Sequence, residues 1–291
     1  MLIRVDGRDV EVTNPEKVLL DGITKADLVD YYRRIGPVML PHVEGRPITL
    51  QRFPDGVAAG GFYQKDTPDH VPGWIERVTL PKSDGEVRHL VIREVATLVY
   101  LANLAAITIH AGLQRVDHLD RPDRMVLDLD PPPGRPPELV RFAARETRRL
   151  LEEGGVKSQV MATGSKGYHV VVPLHPDRSF EEVKAIARSI AECLVERHPD
   201  RLTVEQRISK RDGRVFVDYL RNAFSQTAVA PYSVRARPGG PIAAPIGWHE
   251  LDRVDPAAIT IRSIFRRLGQ IEDPWSTDAV GPQSLDAFVD R

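Results

Sequence analysis

The alternation of strand and helix patterns between residues 124 and 220 constrains the fold of this chain more than any other feature. Two amphipathic segments, PELVRFAARETRRLLEEGG and a second one that begins at Ser179 and Glu182, lie among the strand-like runs MVLDLD, KSQVMAT, YHVVVPL and RVFVDYL. Alternating side chains face opposite sides of a strand, whereas a helical face recurs at a period of about 3.6 residues. The pattern predicts an α/β or α+β fold in which the sheet carries the polar residues of interest.

The rest of the sequence predicts further elements but no clean domain boundary. Thr24 followed by Asp27 has the spacing of a helix capping box, and a short strand pair precedes it. A strand-like PITLQRF and a long apolar helix across Val95–Ala106 follow, and the chain has neither a repeat nor a long low-complexity linker. We therefore expect one folded domain over residues 1–270 and an acidic tail over residues 271–291.

Composition excludes several classes of protein. With 291 residues and 42% hydrophobic content, the chain is long and apolar enough for a large core, so a disordered or fibrous protein is excluded. No apolar run approaches the roughly 18 residues that span a bilayer, and MLIRVDGRDV lacks the apolar core of a signal peptide. We therefore expect a cytoplasmic protein without membrane contact. The single cysteine, Cys193, lies on an apolar helical segment and is expected to be buried, so any metal would be bound by oxygen or nitrogen.

The charged residues are unevenly distributed, although the net charge is only −1. Residues 201–238 contain eight basic and three acidic side chains, whereas residues 272–291 contain five acidic side chains and one arginine. A local basic excess fits a polyanion site on an otherwise balanced surface. Arginines that merely lie on the outside of strands and loops explain the same counts, so charge alone does not separate the two interpretations.

Two carboxylates lie at the end of the MVLDLD run. Asp128 and Asp130 are two residues apart and therefore project from the same face of the predicted strand. Adjacent carboxylates repel each other, and a divalent cation with a preference for oxygen, such as Mg²⁺ or Mn²⁺, relieves that repulsion. The pattern is short, and an alternative remains in which Asp130 caps the Pro-rich turn and Asp128 is a surface residue.

A third aspartate strengthens the metal interpretation. In RVFVDYL, Asp218 shares a predicted face with the apolar Phe216 and Leu220, so it is expected to be buried and either paired or metal-bound. Three aspartates on neighbouring strands can hold two ions about 4 Å apart, the arrangement used for in-line phosphoryl displacement. The alternative for Asp218 is a salt bridge to a nearby arginine.

The segment TGSKGYH, residues 163–169, is expected to be a tight loop between two strands. Its small residues let backbone N–H groups approach a triphosphate, while Ser165, Lys166 and His169 offer donors to phosphate oxygens. The P-loop consensus differs, because it requires a lysine followed directly by Ser or Thr and then a helix. A simple hairpin turn with a solvated lysine is the alternative.

These motifs together resemble the polymerase domain of bacterial ligase D, the end-joining branch of the archaeo-eukaryotic primase superfamily. The resemblance covers nearly the whole chain, from NPEK and TKAD through PHVEGRPITLQRFPDG, LDLDPPPG, TGSKGYH, VFVDYLRN and APYSVRARP to APIGWHEL. It identifies the 1–270 segment as a primase-polymerase domain. It also implies an RRM-like catalytic sheet that bears the aspartates and packs on a second, smaller sheet, with helices outside.

The resemblance also assigns roles to individual residues. The metal-binding aspartates of the family correspond to Asp128, Asp130 and Asp218. The residues implied to contact the nucleotide are Thr163, Ser165, Lys166, Gly167, His169, His110, Arg211, Arg235, Arg237 and Gln51. The residues implied to contact DNA are Lys17 and Lys25, which match lysines that grip a 5′-phosphate, and Phe62 and Tyr63, which match aromatics against the template.

Two of these positions depart from the family pattern, and four have simpler explanations. Thr163 stands where serine is common but keeps the hydroxyl, whereas Gln51 replaces a common lysine and puts one nucleotide contact in doubt. The two N-terminal lysines are also compatible with solvated surface residues, and the two aromatics with a minor core.

The implied function is a DNA-directed nucleotidyltransferase that fills short gaps and extends 3′ ends at double-strand breaks. Its cofactors are expected to be two Mn²⁺ or Mg²⁺ ions and its substrates NTP or dNTP, with ribonucleotides and Mn²⁺ preferred. The implied partners are DNA with 5′-phosphate ends or gaps, Ku and a separate DNA ligase, in a bacterial cytoplasm near the nucleoid. Because 291 residues leave no room for a ligase or nuclease domain as well, we expect a stand-alone enzyme or a domain of a larger protein.

Three other functions fit the same residues. A primase would start chains without a primer, and a two-metal phosphodiesterase would cleave DNA in the absence of nucleotide. A catalytically silent module would hold broken ends and incorporate nothing. Primer extension on a gapped duplex, compared with unprimed template and with DNA alone, separates all four.

Overall fold

The structure is a computed structural model that describes residues 1–82, 84–277 and 279–289. In chain order, the helices are α1 Lys25–Val43, α2 Val95–Asn103, α3 Pro137–Glu153, α4 Phe180–Arg197, α5 Ile264–Leu268 and α6 Pro274–Thr277. The strands are β1 Leu2–Val5, β2 Arg8–Glu11, β3 Val18–Leu20, β4 Ile23–Thr24, β5 Pro47–Arg52, β6 Phe62–Gln64, β7 Arg77–Lys82, β8 Gly85–Val91, β9 Ala106–Gly112, β10 Arg124–Asp130, β11 Gln159–Ala162, β12 Tyr168–Pro173, β13 Leu202–Thr203, β14 Val215–Asp218, β15 Thr227–Val229 and β16 Ala244–Ile246. The mixed α/β class expected from the sequence is confirmed.

The chain divides into two compact units, each built from separate stretches of sequence. Unit 1 comprises residues 1–117, 227–243 and 260–267. Unit 2 comprises residues 118–226, 244–259 and those from 268 onward. The predicted boundary between a 1–270 domain and a 271–291 tail stays a prediction. Within unit 2, Trp275 of the α6 segment donates a hydrogen bond to the Val160 carbonyl at 3.0 Å.

Unit 2 is built on a sheet of strand order β13-β14-β10-β12-β11-β16. Strand β10 is antiparallel to both of its neighbours, β12 and β14. Its residues Met125–Leu129 are all buried, so the strand is covered on both faces of the sheet. Helices α3 and α4 both contact β10. The sheet's apolar runs are therefore buried by helices, as the strand–helix alternation predicts.

Helices α3 and α4 begin where the sequence predicts. Pro137 lies at the start of α3, where its missing N–H and fixed φ are tolerated. In α4, the Ser179 side chain accepts a hydrogen bond from the Glu182 N–H at 3.3 Å, and the carboxylate reaches back to the Ser179 N–H at 2.8 Å. Cys193, which was expected to be buried, is only partly buried because it lies beside the apolar stripe of α4 that ends at Leu194.

Unit 1 contains a second sheet, of strand order β15-β9-β5-β8-β7, with β6 paired to β5. The resemblance implies that this sheet is the smaller one, but both sheets have six strands within the described ranges. The expectation about size is therefore wrong, because the short strands β6 and β15 extend the pairing of β5 and β9.

The helices of unit 1 bury tyrosines and aliphatic side chains. Thr24 caps α1 with a complete capping box to Asp27, as predicted. Tyr32 is fully buried and its hydroxyl donates to the Ile107 carbonyl at 2.8 Å. Helix α2 ends at Asn103 instead of continuing to Ala106, since Ala105 has a φ of 56° that breaks the helix before β9 begins.

Among the residues that the structure describes, no helix combines the length and the hydropathy required to cross a bilayer.

Candidate functional site

The three predicted aspartates come together in unit 2. In the antiparallel register of the sheet, Asp128 on β10 lies directly opposite Asp218 on β14 and opposite His169 on β12. Asp130 lies two residues further along β10 on the same face. One carboxylate oxygen from each of the three aspartates lies within 4.8 Å of the other two. We call Asp128, Asp130 and Asp218 the aspartate cluster.

The aspartate cluster is largely removed from solvent. Asp128 and Asp218 are each 7% exposed, so the alternative in which Asp128 is a surface residue is wrong. His169 Nε2 lies 3.3 Å from Asp128 Oδ1, and Arg221 Nε lies 3.4 Å from Asp128 Oδ2 and 3.6 Å from Asp218 Oδ2. The pairing of Asp218 with an arginine, considered from the sequence as an alternative to metal binding, is thus present beside the other carboxylates.

The three carboxylates have different proton affinities. Burial opposes ionisation of Asp128, but His169 and Arg221 outweigh it and lower the pKa of Asp128 to about 2. Burial and the charges of Asp128 and Asp218 raise the pKa of Asp130 to about 6. Burial also raises the pKa of Asp218, although a hydrogen bond from the Leu220 N–H at 2.8 Å opposes the shift. The site therefore stabilises the ionised form of Asp128 and makes ionisation of the other two carboxyls less favourable than in water, a cost that a cation would reduce.

A short 3₁₀ helix, Leu220–Asn222, follows the end of β14 after one intervening residue, and its first N–H donates to the third aspartate. The sequence pattern extends the strand through Leu220, but the strand ends at Asp218 and Leu220 is half-buried on the turn. Asn222 is fully buried, and its side-chain amide accepts from the Val126 N–H at 2.8 Å and donates to the Val126 carbonyl at 2.7 Å. Asn222 thereby takes the place of a strand residue beside β10 and holds the turn against it.

Sequence reasoning missed Arg221 and Asn222. Both lie in the VFVDYLRN motif, whose strand pattern predicts a role only for the aspartate. An arginine three residues after a buried acid is a recognisable signal, because that spacing returns a side chain to the same side of a helical turn. The role of Asn222 depends on a tertiary contact with β10, so the local sequence carries no comparable signal for it.

The 163–167 loop lies against the strand that carries the first two aspartates. A Cβ atom added to Gly167 would lie 1.9 Å from the Leu129 carbonyl oxygen, so only glycine permits this approach. Thr163 closes the loop, because its Oγ1 donates to the Gly167 carbonyl at 2.9 Å. Ser165 is half-buried and Lys166 is exposed, which leaves the ammonium group accessible to a ligand.

Arg211 also lies in unit 2, near the aspartate cluster. Its positive charge lowers the proton affinity of Asp130, against the larger opposing effect of burial on the pKa of that carboxyl. The guanidinium is held by the carbonyls of Glu205 and Gln206 at 3.1 and 2.9 Å and lies 4.3 Å from the centroid of the Phe216 ring. Arg211 is therefore a fixed positive charge whose orientation is set by its own loop.

Several residues implied to contact nucleotide or template lie together in unit 1. Gln51 on β5 is paired with Tyr63 on β6, and Thr49 on β5 is paired with His110 on β9. The rings of Tyr63 and His110 have their centroids 5.7 Å apart. Tyr63 is 62% exposed, so the interpretation as a minor core does not apply to it.

The N-terminal lysines form a second basic group in unit 1. Lys25 is 6% exposed, and its pKa is lowered by burial and by the nearby charges of Lys17 and Arg52. Lys17 Nζ forms an ion pair with the exposed carboxylate of Asp55 at 2.7 Å. The alternative in which both lysines are solvated surface residues does not apply to Lys25, which is buried. A cluster of positive charge with one buried member is a suitable anion site.

The remaining predicted residues of unit 1 are Phe62, Arg235 and Arg237. Phe62 is 48% exposed, and Arg52 lies 5.6 Å from its ring centroid while donating to the Leu104 carbonyl at 2.9 Å. Arg235 and Arg237 lie between Val234 and Ile242, which form an isolated antiparallel β-bridge. Arg237 is exposed and Arg235 is half-buried.

The chemistry of the aspartate cluster fits a divalent cation. Its donors are carboxylate oxygens, which suit Mg²⁺ and Mn²⁺. The pKa values of Asp130 and Asp218 are raised by burial and by the neighbouring carboxylates, and a bound cation would offset the same unfavourable charge. The roles of Asp128, Asp130 and Asp218 as metal ligands, and of the other site residues, stay predictions.

The fold and the aspartate cluster define a mixed α/β protein that carries three carboxylates suited to a divalent cation on one sheet. The sequence profile described as "LigD, primase-polymerase domain" matches residues 24–275. The chain belongs to this family of LigD primase-polymerase domains, which confirms the resemblance.

Individual relatives are similar over most of the chain. It is 34% identical over 277 residues to the multifunctional non-homologous end joining protein LigD of Mycolicibacterium smegmatis, which covers 93% of this chain and 36% of that protein. It is 32% identical over 278 residues to the bifunctional non-homologous end joining protein LigD of Bacillus subtilis, which covers 94% of this chain and 45% of that protein. The chain thus spans less than half the length of either relative.

A solved structure is similar over nearly its entire length. It is the polymerase domain of Mycobacterium tuberculosis ligase D in complex with DNA, at a TM-score of 0.87 and 33% identity. The match covers 94% of this chain and 99% of that one. The similarity therefore concerns one complete domain of the larger LigD proteins.

Proposed function

We propose that this chain is a DNA-directed nucleotidyltransferase that extends 3′ ends and fills short gaps at double-strand breaks. The observation that carries the proposal is the aspartate cluster, in which three carboxylates converge on one face of a sheet beside a glycine-containing loop. Membership of the LigD primase-polymerase family and the similarity to a polymerase domain in complex with DNA support it.

The side chains of the aspartate cluster would hold two Mn²⁺ or Mg²⁺ ions. When bound, such ions activate the attacking 3′-hydroxyl and stabilise the departing pyrophosphate. Asp128 is ionised at neutral pH because of its pairing with His169, which keeps one ligand ready at all times. The protein itself supplies no nucleophile, and its residues contribute position and charge.

The 163–167 loop would bind the triphosphate of an NTP or dNTP. Gly167 holds the loop close to β10, and the exposed Lys166 presents an ammonium group to the phosphate oxygens. Ser165 and His169 add donors on either side of the lysine. Arg211 contributes a fixed positive charge that requires no rearrangement.

Unit 1 would bind the DNA. Lys17 and Lys25 form the basic group that suits a 5′-phosphate, and the exposed rings of Phe62 and Tyr63 offer faces for template bases. Contacts from His110, Gln51, Arg235 and Arg237 to the nucleotide belong to the same proposal, and so does a preference for ribonucleotides. We also propose that Ku and a separate DNA ligase act with this chain, in the bacterial cytoplasm at the nucleoid.

Primer extension on a gapped duplex with a 5′-phosphate tests the function. Wild type is expected to add one or a few nucleotides with Mn²⁺, while Asp218→Asn reduces extension at least about a thousandfold, since one cluster ligand loses its charge. Asp200→Asn is a matched control in the same unit, because its exposed carboxylate pairs only with Arg201 in the described part of the chain. Binding of the gapped duplex should persist in both variants.

The outcome distinguishes the rival functions. Extension by Asp218→Asn at the rate of the control would contradict the role of the aspartate cluster. Products formed on unprimed template would instead support a primase, and cleavage of DNA without nucleotide would support a phosphodiesterase. A wild type that bridges DNA ends but incorporates no nucleotide would identify a silent module.

A further inference from the structure

Arg221 is placed between two members of the aspartate cluster. Within the described residues, its Nε is the cationic group that approaches both Asp128, at 3.4 Å, and Asp218, at 3.6 Å. These two carboxylates are directly opposite each other on adjacent strands, where like charges are destabilising. Arg221 therefore supplies positive charge at a place where a divalent cation would also be attracted.

The hold on Arg221 is weak. Charge-assisted N–H···O bonds are typically about 2.7–2.9 Å long, and both of its contacts are longer and use the same nitrogen. Its Nη atoms make no hydrogen bond to any described residue, and the side chain is 40% exposed. The guanidinium can thus leave the carboxylates without breaking a second set of contacts.

Arg211 shows the contrasting arrangement in the same unit. Its guanidinium donates to two backbone carbonyls of its own loop and lies over the Phe216 ring, and the residue is 9% exposed. To change partners, the Arg211 side chain would have to break two hydrogen bonds and leave the aromatic ring. Arg211 is therefore held by its own loop, whereas the Arg221 side chain, among the residues that the structure describes, is held only by carboxylates that a cation would also bind.

The turn that carries Arg221 does not need to move for the side chain to do so. The Asn222 amide fixes the backbone of the turn through hydrogen bonds at 2.7 and 2.8 Å to Val126. A long arginine side chain on a fixed backbone changes position by rotamer changes alone. Its unused Nη donors form a planar fork that matches phosphate oxygens.

We propose that Arg221 is a resident counter-cation of the aspartate cluster, which balances the carboxylates while no ion is bound and gives way when divalent ions bind. The released guanidinium then turns to the phosphates of the incoming nucleotide. Arg221 is thus a positioning residue that couples the loading of metal to the arrival of the triphosphate. This inference rests on the proposed nucleotidyltransferase function.

Titration with Mn²⁺ alone, followed by electron paramagnetic resonance of the free ion, tests the first part. Arg221→Gln removes the competing charge and is expected to tighten Mn²⁺ binding about three- to tenfold, as suits ion pairs in which the carboxylates are buried and the arginine side chain is 40% exposed. Arg221→Lys keeps the charge and should bind Mn²⁺ as wild type does. Arg188→Gln, which removes an arginine paired with Glu192 on α4, is the matched control and should leave the affinity unchanged.

The same titration with saturating ATP and no primer tests the second part, because no chemistry follows. ATP is expected to tighten Mn²⁺ binding at the aspartate cluster by a larger factor in wild type than in Arg221→Gln, since only wild type transfers a guanidinium to the phosphates. Weaker or unchanged Mn²⁺ binding by Arg221→Gln in the absence of ATP would overturn the proposal, and so would an equal gain from ATP in both proteins. Thermal melting checks that each variant is folded.

Failure of this inference and failure of the proposed function give different results. Wild type that extends primers while Arg221→Gln binds Mn²⁺ more weakly would refute the counter-cation but leave the nucleotidyltransferase intact. Wild type that binds Mn²⁺ with the expected competition but extends no primer would refute the function alone.

Discussion

Replacement of Asn222 by alanine is expected to destabilise unit 2 by about 3 kcal/mol. The side chain is fully buried and makes three hydrogen bonds, at 2.8 Å from the Val126 N–H, 2.7 Å to the Val126 carbonyl and 2.8 Å to the Tyr219 carbonyl. In the alanine variant the Tyr219 carbonyl still accepts a hydrogen bond from the residue 222 backbone N–H, at 3.2 Å in the wild type, so loss of the bond to Tyr219 contributes little to the destabilisation. Both polar groups of Val126 would be left buried and unpaired, at about 1–2 kcal/mol each.

Two measurements check the magnitude and its location. Urea denaturation gives the change in the free energy of unfolding, and hydrogen–deuterium exchange of the peptide that covers β10 reports the protection of the Val126 amide. The Val126 amide should exchange much faster in Asn222→Ala because its acceptor is gone. The pairing of β10 with β12 should remain protected.

Asn103→Ala is the matched control. The Asn103 side chain accepts a hydrogen bond from the Thr13 N–H at 2.9 Å and donates to the Glu11 carbonyl at 3.0 Å, and both bonds are accessible to solvent. Water can replace them, so a loss below about 1 kcal/mol is expected. Equal destabilisation by the two alanines, or unchanged exchange at Val126, would refute the reasoning that the Asn222 amide substitutes for a strand.

Three further predictions concern metal, loop and DNA. Asp130 has a pKa of about 6 and must lose its proton to bind a cation. The Mn²⁺ affinity measured by calorimetry should therefore fall about tenfold per pH unit below pH 6 and be constant above pH 7. An affinity that does not change with pH would contradict this prediction. In Gly167→Ala the added Cβ would lie 1.9 Å from a carbonyl oxygen of β10, so the free energy of unfolding in urea should fall by at least about 2 kcal/mol. Gly281→Ala is the control and should not change the free energy of unfolding, because a Cβ there has no neighbour within 4 Å. Asp55→Asn frees Lys17 from its ion pair and should tighten binding of 5′-phosphorylated ends about two- to threefold in fluorescence anisotropy at low salt, with no change for unphosphorylated ends.

The sequence predicts those parts of the fold that are encoded locally. Both capping boxes, at Thr24 and Ser179, are present as expected, because the spacing of three residues is itself the hydrogen-bonded geometry. The period-2 pattern of MVLDLD correctly places Asp128 and Asp130 on one face of a buried strand. The convergence with Asp218 could be expected only from the combination of motifs, since strand order is a tertiary property.

The errors occur where a tertiary contact overrides a local pattern. The alternation through Leu220 favours a continuous strand, but the chain turns after Asp218 because the buried amide of Asn222 replaces the ladder with side-chain hydrogen bonds. The apolar run to Ala106 favours a longer helix, but Ala105 adopts a left-handed conformation that lets β9 begin. The spacing of Asp218 and Arg221 is a local signal of a helical turn, but the alternation through Leu220 favours a strand and conceals it.

The contact of Gly167 with β10 limits how the binding of a triphosphate can vary within this family. The backbone at Gly167 lies against the Leu129 carbonyl and fixes the distance between the loop and the aspartate strand, so the path of the loop cannot change without displacing the strand. If the loop binds a triphosphate as proposed, differences in triphosphate affinity between related chains should therefore arise from the exposed or half-buried side chains at positions 165 and 166, while the distance between the loop and the aspartate strand stays constant.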